Sequence, residues 1–269
     1  MKLLDIKEVQ SMQLELMKSL HAFMQENDIR YYLIAGSALG ATRHHGFIPW
    51  DDDIDIGLFR EDYEKFIQIA SAFDKRYEVI NYKNSKNCDY VLTRIYFPNT
   101  YIANPLIENT KLDKRLYFDI FPLDNVPDDN EELAKYEKAI NKKKKLIQRI
   151  DVRNNKNSGL VLCMKKVVSI GLTQFRNSII SSFDKLCKKY NNTDTKRVCS
   201  LSSQYSFKKQ VMPKEIYGTP TLHVFGTECF FVPEKLDQYL TILYGANYNE
   251  VPPVEKRRKG YDIYSTSEE

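Results

Sequence analysis

The chain has 269 residues, of which 42% are hydrophobic and 12% aromatic, so it is long enough to bury a sizeable core. Its 40 Lys and Arg against 36 Asp and Glu leave a net charge of +4, which is a mild excess rather than the balance of a nucleic-acid-binding protein. Anionic substrates or an anionic membrane surface fit this charge equally well. The five cysteines form no Cys-x-x-Cys pair, so they indicate neither a disulfide framework nor a zinc knuckle, and reduced cytoplasmic thiols are expected.

The N-terminal segment predicts a packed helix rather than a targeting signal. Asp5 and Glu8 interrupt the apolar core that a signal peptide needs, so export is not expected. Apolar residues at steps of three and four predict an amphipathic helix over residues 5–26. The most apolar later stretch, residues 160–172, falls short of a membrane-spanning helix.

A strand, a Gly-Ser turn and a helix are predicted to follow. Residues 31–35 are apolar and run into Gly36 and Ser37, after which a helix can begin. Such a turn can offer backbone N–H groups and a hydroxyl to a phosphate. The stretch is not a P-loop, since no Gly-Lys-Ser/Thr follows, and it lacks the Gly-x-Gly-x-x-Gly of dinucleotide sites.

Four carboxylates then fall within five residues, and acids this close repel one another unless a cation lies among them. The alternation of Ile54 and Ile56 with acids is strand-like, which puts Asp53 and Asp55 on one face. Hard oxygen ligands without nearby His or Cys favour Mg²⁺ or Mn²⁺, which usually complete their coordination with water and substrate phosphates. The four acids are Asp51, Asp52, Asp53 and Asp55.

This order of elements is similar to the signature of the nucleotidyltransferase fold shared with polymerase-beta-like enzymes. The loop residues narrow the resemblance: GSALGATRHHGFIPWDDDIDIGLFREDYEKF closely resembles the hallmark of the LicD family, phosphocholine transferases that modify bacterial teichoic acids and lipooligosaccharides. Fukutin-type transferases are distant relatives of that family. The closing YLTILYGANYNEVPPVEKRRKG also looks like LicD-family sequence.

The next elements are predicted to complete one sheet. A helix over residues 60–73 covers it, and strands are expected at 77–82, 90–97 and 101–107. Arg94 lies within a strand, where it is either a phosphate ligand or a partner for one of the acids.

A third carboxylate is expected on a later strand. Tyr117–Asp124 reads YFDIFPLD, in which Asp119 projects opposite to its apolar neighbours, and DIFPLD resembles LicD-family sequence. Asp119 is therefore the predicted third ligand. Pro122 is expected to end the strand, which assigns Asp124 to a turn cap.

Two basic helical segments are predicted farther on. Residues 131–150 form a charged helix whose lysine run, 142–145, is expected to be a solvated face. Residues 160–190 interleave apolar and basic residues. This pattern fits either core packing or peripheral contact with the inner face of an anionic membrane.

The predicted fold is α+β, with a nucleotidyltransferase-like mixed sheet and flanking helices over residues 1–126. Residues 127–269 are expected to form a helical and mixed C-terminal region packed on that core. No nucleic-acid partner is expected.

The resemblance implies metal-dependent transfer of phosphocholine from CDP-choline, or a related CDP-alcohol, to a hydroxyl of a lipid-linked or oligosaccharide acceptor. That acceptor is a cell-surface glycan such as a teichoic acid, lipooligosaccharide or capsule precursor. Three alternatives stay open: transfer of an NMP group, transfer of phospho-ethanolamine, phospho-ribitol or phospho-glycerol, and a non-catalytic module on this fold. The implied roles are metal binding by Asp53, Asp55 and Asp119, donor binding by Gly36 and Ser37, and charge compensation by Arg43 or Arg94.

Overall fold

The computed structural model describes residues 1–85, 88, 90–105, 108, 112–148, 175–257 and 260–267. The helices are α1 (Ile6–Glu26), α2 (Ala35–His44), α3 (Arg60–Ile69), α4 (Asn130–Ile147), α5 (Arg176–Cys187), α6 (Phe207–Gln210), α7 (Lys214–Tyr217) and α8 (Leu236–Tyr244). The strands are β1 (Lys2–Leu3), β2 (Tyr32–Leu33), β3 (Asp55–Phe59), β4 (Glu78–Ile80), β5 (Thr93–Tyr96), β6 (Thr100–Ala103), β7 (Tyr117–Val126), β8 (Arg197–Cys199), β9 (Val211–Pro213), β10 (Thr221–Phe225), β11 (Glu228–Val232) and β12 (Asp262–Ser265).

The helix predicted over residues 5–26 is confirmed as α1. Asp5 is its N-cap: the Asp5 carboxylate accepts from the backbone N–H of Glu8 at 2.9 Å, and the Glu8 carboxylate accepts from the N–H of Asp5 at 2.8 Å. This reciprocal capping box fixes the first turn. The buried face carries Val9, Gln13, Leu16, Met17, Leu20 and Met24.

The central sheet is mixed, as predicted. Its strands lie in the order β2-β3-β7-β5-β4, and β8 and β9 continue it beside the far end of β7. The β3–β7 pair is parallel, and the other pairs are antiparallel. The helix predicted after β3 is α3, which packs on β3 and β7.

The prediction that Pro122 ends a strand is wrong, because β7 continues to Val126. Residues 117–120 of β7 pair with β5 and residues 124–126 pair with β8. Pro122 lies between these two antiparallel partners, so its missing N–H breaks no antiparallel ladder bond.

The prediction of one sheet is also wrong for β6. That strand pairs with β12, which in turn pairs with β1, and these three form a separate sheet. Strands β10 and β11 form a hairpin. Residues beyond 126 therefore supply strands to both larger sheets, and the domain boundary at 126 stays a prediction.

Helices α4 and α5 pack on each other. Their shared core includes Ile140, Ile180, Phe183 and Cys187, all nearly inaccessible to solvent. Most apolar side chains in the described part of the basic segment 160–190 are thus buried in the protein, although Phe175 is exposed, and residues 160–174 lie outside the described residues. No helix in the described part of the chain is both long and apolar enough to cross a membrane.

Candidate active site

A row of charged side chains crosses the middle of the central sheet. Asp55 on β3 is the register partner of Asp119 on β7, and Asp119 is the register partner of Arg94 on β5. Register partners on neighbouring strands point to the same face. The sheet therefore brings together two of the three predicted metal ligands and one predicted phosphate ligand.

Arg94 is held by an acid and by two aromatic rings. Its Nε donates to Asp119 Oδ1 at 2.8 Å, and its guanidinium carbon lies 4.1 Å from the Tyr90 ring centroid and 3.9 Å from that of Tyr117. Burial alone would lower the pKa of Arg94, but Asp119 raises it well above its usual value. The sequence leaves two roles open for Arg94, and in the structure Arg94 pairs with an acid, Asp119. Its role as a phosphate ligand stays a prediction.

Asp51, Asp52 and Asp53 form a compact cluster just before β3. One carboxylate oxygen from each lies within 4.8 Å of the others. Strand β3 begins at Asp55, so Asp53 lies two residues before the strand, and the prediction that Asp53 and Asp55 share one face stays a prediction. Three hard oxygen donors at this spacing fit a divalent cation such as Mg²⁺ or Mn²⁺.

Two glutamines of α1 hold the loop that carries this cluster. Gln10 Nε2 donates to the carbonyl oxygen of Asp51 at 2.9 Å. Gln13 Nε2 donates to the carbonyl oxygens of Asp52 at 3.3 Å and Tyr117 at 3.0 Å. Because Gln13 is fully buried, it fixes the loop against the start of β7.

The negative charges of both Asp119 and Asp53 affect the pKa of Tyr117. Arg94 alone would lower the pKa of Tyr117, but burial together with the negative charges of Asp119 and Asp53 raises that pKa to about 12. Asp53 therefore belongs to the same electrostatic environment as Asp119, although Asp53 lies outside the strands.

The predicted Gly-Ser turn forms the first turn of α2. The buried Ser37 Oγ accepts from the backbone N–H of Asp55 at 2.7 Å, which ties the helix to β3. A Cβ added at Gly36 would lie 2.9 Å from Asp51 Oδ2, so glycine lets this carboxylate approach the helix N-terminus. Ala35, just before it, has a left-handed φ of 47°, and its N–H donates to the hydroxyl oxygen of Tyr239 at 3.0 Å.

A first cleft, which we call the α2 cleft, opens beside this turn and has a volume of about 510 Å³. Arg43 lies in its wall and donates through Nη1 to the carbonyl oxygens of Tyr248 and Glu250, both at 3.0 Å. The Arg257 guanidinium stacks on the Trp50 ring at 4.1 Å. The residues that line the α2 cleft include Gly36, Arg43, Trp50, Asp51, Lys256 and Arg257.

A second cleft, the α4 cleft, lies between α4 and the strands β5 and β7 and has a volume of about 630 Å³. Tyr205 lines both clefts, and its hydroxyl lies 2.9 Å from that of Tyr244. Burial raises the pKa of Tyr205, and the negative charges of Asp55, Asp51 and Asp53 raise it further. Tyr205 thus faces the acids from the junction of the two clefts.

Tyr205 and Lys144 line the α4 cleft, but neither was predicted from the sequence as a site residue. No local pattern marks Tyr205, which reaches the acids only through the fold. The prediction that the lysine run is wholly a solvated face is wrong for Lys144, which lines the α4 cleft and donates through Nζ to the carbonyl oxygen of Ser203 at 2.8 Å. Burial lowers the pKa of Lys144. A single inward position within a charged run has no sequence signature beyond helical spacing.

The assignment of Asp124 to a turn cap is also wrong. Asp124 is fully buried on β7. It accepts from Arg60 Nε and Nη2, both at 2.7 Å, and from Asn191 Nδ2 at 2.7 Å. This bidentate pair binds α3 to β7, on the opposite side of the strand from Asp119.

Comparisons with known proteins show what the sequence is similar to. Residues 28–151 match the family described as "LicD/FKTN/FKRP, nucleotidyltransferase domain". Over 270 residues, the chain is 26% identical to the lipopolysaccharide cholinephosphotransferase LicD of Haemophilus influenzae, covering 96% of each chain. It is 32% identical over 116 residues to an uncharacterised protein of Rickettsia prowazekii, covering 40% of this chain and 44% of that one.

A shorter match links the chain to a transferase from animals. It is 48% identical over 44 residues to the ribitol 5-phosphate transferase FKRP of Homo sapiens, covering 16% of this chain and 9% of that one. The matching family domain spans the acidic cluster, Asp55, Arg94 and Asp119. The resemblance predicted from the sequence is therefore confirmed: the chain is similar to the LicD family over residues 28–151 and to one LicD protein over most of its length.

Proposed function

We propose that this protein transfers phosphocholine from CDP-choline to a hydroxyl of a cell-surface glycan, with release of CMP. The acceptor oxygen bonds to the phosphorus that bears choline, the bond from that phosphorus to the CMP oxygen breaks, and the acceptor proton is released to solvent. The observation that carries the proposal is the pairing of Asp55 and Asp119 on adjacent strands beside the Asp51–Asp53 cluster. The family relationship adds independent support.

The carboxylates fit a divalent metal, which we propose is Mg²⁺ or Mn²⁺ held by Asp53, Asp55 and Asp119. A bound divalent ion would neutralise phosphate charge and lower the pKa of an attacking hydroxyl. The residues of this chain supply the fixed framework: β3 and β7 hold Asp55 and Asp119 in register, and Gln13 anchors the preceding loop. The membership of Asp51 in the carboxylate cluster makes it a fourth candidate ligand.

The donor phosphates are proposed to bind in the α2 cleft. Gly36 lies at the N-terminus of α2, where backbone N–H groups and the helix dipole favour anions. Arg43 and Arg257 line the same cleft. Arg43 is fixed by hydrogen bonds to backbone carbonyl oxygens, and Arg257 is fixed by stacking on the Trp50 ring. The Ser37 hydroxyl oxygen accepts from Asp55 N–H, and its O–H group can donate to a phosphate oxygen.

A second candidate donor is CDP-ribitol, which the short match to a ribitol 5-phosphate transferase favours. CDP-ethanolamine, CDP-glycerol and transfer of an NMP group remain further alternatives on the same site. All of them cleave a pyrophosphate, so the acids alone do not separate them.

A thermal-shift panel tests the donor. We expect CDP-choline with Mn²⁺ to raise the Tm above the value with Mn²⁺ alone, because a ligand that binds only the folded state stabilises it. CDP-ribitol, CDP-ethanolamine, ATP and an NDP-sugar serve as comparators under the same conditions. A larger shift with ATP or an NDP-sugar, and none with a CDP-alcohol, would refute the donor assignment.

Mass spectrometry of the product tests which half of the donor moves. Transfer of phosphocholine adds the phosphocholine mass to the acceptor and releases CMP. Transfer of NMP would instead add the nucleotide mass. An acceptor that gains a nucleotide excludes the first reaction.

We also propose that the protein acts in the cytoplasm, in peripheral contact with the inner face of the membrane, where lipid-linked acceptors would be met. The motivation is the interleaving of basic and apolar residues over 160–190, of which residues 160–174 lie outside the described residues. Flotation with anionic and neutral liposomes at two salt concentrations tests this contact. Binding should be specific for anionic lipid and should weaken with salt. An equal response to both lipids contradicts it.

A further inference from the structure

The α4 cleft holds polar side chains that the proposed metal and donor sites do not use. Its floor is formed by β5 and β7, where Arg94, Asp119 and Phe121 line it. Glu137 and Asn141 line the wall formed by α4. Asp119 therefore borders the cleft from below, and a molecule bound there lies next to the predicted metal ligands.

The opposite wall is the loop of residues 202–206, which is fixed to its surroundings. Lys144 Nζ donates to the carbonyl oxygen of Ser203, and Gln210 Nε2 donates to Ser203 Oγ at 3.0 Å. Ser202 Oγ donates to the carbonyl oxygen of Val91. The loop thus bridges α4 and the segment just before β5, and these hydrogen bonds fix this wall of the cleft.

The two clefts differ in the net charge of the side chains that line them. Among the described lining residues, the α4 cleft has two basic side chains, Arg94 and Lys144, balanced by two acidic ones, Asp119 and Glu137. The α2 cleft has three basic lining residues against two acidic ones, and it also contains the N-terminus of α2. A CDP-alcohol carries two anionic phosphates, so the excess of positive charge directs it to the α2 cleft. The balanced α4 cleft favours an uncharged ligand.

The chemistry of the α4 cleft matches a sugar. Asn141 and Gln148 carry amides that both donate and accept, and Glu137 accepts, as vicinal hydroxyls require. Tyr205 adds an aromatic ring against which the C–H face of a pyranose can pack, and Tyr90, one face of whose ring is covered by Arg94, adds a second aromatic side chain to the lining. Amides, an acid and tyrosines together favour a neutral polyhydroxylated ligand over an apolar one.

We infer that the α4 cleft binds an uncharged sugar residue of the acceptor, with Asn141, Gln148 and Glu137 as its hydroxyl ligands. Tyr205 lines both clefts, so it marks the point where the acceptor hydroxyl meets the donor phosphate. This inference rests on the proposed function for the identity of the sugar as the acceptor. The binding of a neutral sugar in this cleft can be tested without any transfer reaction.

The experiment measures binding of two probes to the full chain by isothermal titration calorimetry and saturation-transfer NMR. The first probe is a panel of neutral di- and trisaccharides of hexoses and N-acetylhexosamines, with sialylated and phosphorylated sugars as anionic comparators. The second probe is CDP-choline with Mn²⁺. The test variant is Asn141→Ala/Gln148→Ala, whose side chains are exposed and whose loss should not affect folding. The matched control is Lys138→Ala/Lys142→Ala, two exposed positions on the same helix.

We expect the test variant to weaken binding of neutral oligosaccharides by about tenfold or more, because at least two hydrogen bonds are lost. Its Kd for CDP-choline should stay within about twofold, and the control should change neither. The inference is overturned if the test variant binds neutral sugars as tightly as the parent, or if it loses affinity for CDP-choline instead. It is also overturned if no neutral sugar binds the parent chain, or if only anionic sugars bind it. If neutral sugars bind as expected but no CDP-alcohol binds, the donor proposal fails and the sugar cleft stands.

Discussion

Replacing Asp124 with Asn tests whether the buried Arg60–Asp124 pair holds α3 on the sheet. Asp124 is fully buried, and the Arg60 side chain is only 9% exposed. Each Asp124 oxygen accepts from a different guanidinium nitrogen at 2.7 Å. Asparagine has one carbonyl oxygen and one NH₂ group, so it would place a donor against an Arg60 donor. Among the carboxylates of the described residues, Arg60 would still contact Asp184 at 3.1 Å and Glu64 at 3.3 Å.

The expected cost follows from burial. Breaking a buried ion pair by removing one charge costs about 3–5 kcal/mol. Here Arg60 would lose its bidentate partner and keep two longer contacts to other carboxylates. For a chain of this size, each kcal/mol lowers the Tm by about 2–4 °C, so the Tm should fall by about 6–20 °C. A loss of a turn cap would instead cost about 1 kcal/mol.

Urea unfolding followed by circular dichroism measures the change, with Asp62→Asn as the matched control. Asp62 is also buried and bound to an arginine, but its partner Arg30 is 59% exposed, so that pair should contribute at most about 1 kcal/mol. If Asp124→Asn costs no more free energy of unfolding than Asp62→Asn, the buried pair is not what stabilises this part of the fold. Restored stability in Arg60→Met/Asp124→Leu would support the argument, because that change removes both charges together.

Three further predictions concern the active site and its supports. Asp119→Asn should fold but lose about 100-fold or more in turnover together with Mn²⁺ binding, and near-parental turnover at saturating metal would exclude Asp119 as a ligand. Tyr239→Phe should cost about 1–3 kcal/mol in chemical denaturation, because the buried N–H of Ala35 loses its acceptor, and an unchanged midpoint would contradict this. Burial alone would raise the pKa of Glu64, but hydrogen bonds from Lys188 and Lys83 lower it to about 2. A lowered carboxyl pKa stabilises the fold above the unfolded value of 4.5, so stability should fall as the pH drops from about 5 towards 2, and Glu64→Gln should flatten that part of the pH profile.

The features predicted correctly from the sequence are those set by local pattern. Helices α1 and α3 follow from apolar spacing, and the approach of Asp55 to Asp119 follows from two short alternating runs. In each case, neighbours along the chain carry the periodicity that defines the buried face.

The features missed depend on contacts between distant segments. Pro122 stays inside β7 because β5 pairs on one side of it and β8 on the other. Strand β8 lies about 75 residues later in the chain, so no local pattern around Pro122 predicts that pairing. Asp124 finds its partner Arg60 across 64 residues. Tyr205 reaches the acids from a loop about 150 residues away, so only the folded chain identifies it.

Substitutions on the two sides of β7 should have different effects. Tyr117, Asp119 and Phe121 are partly accessible on one side of this strand, whereas Phe118 and Ile120 are fully buried on the other. A substitution at Phe121 changes the floor of the α4 cleft and leaves Phe118 and Ile120 in place, so it should cost less folding stability than a substitution at those fully buried positions. Saturation mutagenesis at Phe121 is accordingly a direct route to variants with altered ligand preference in the α4 cleft.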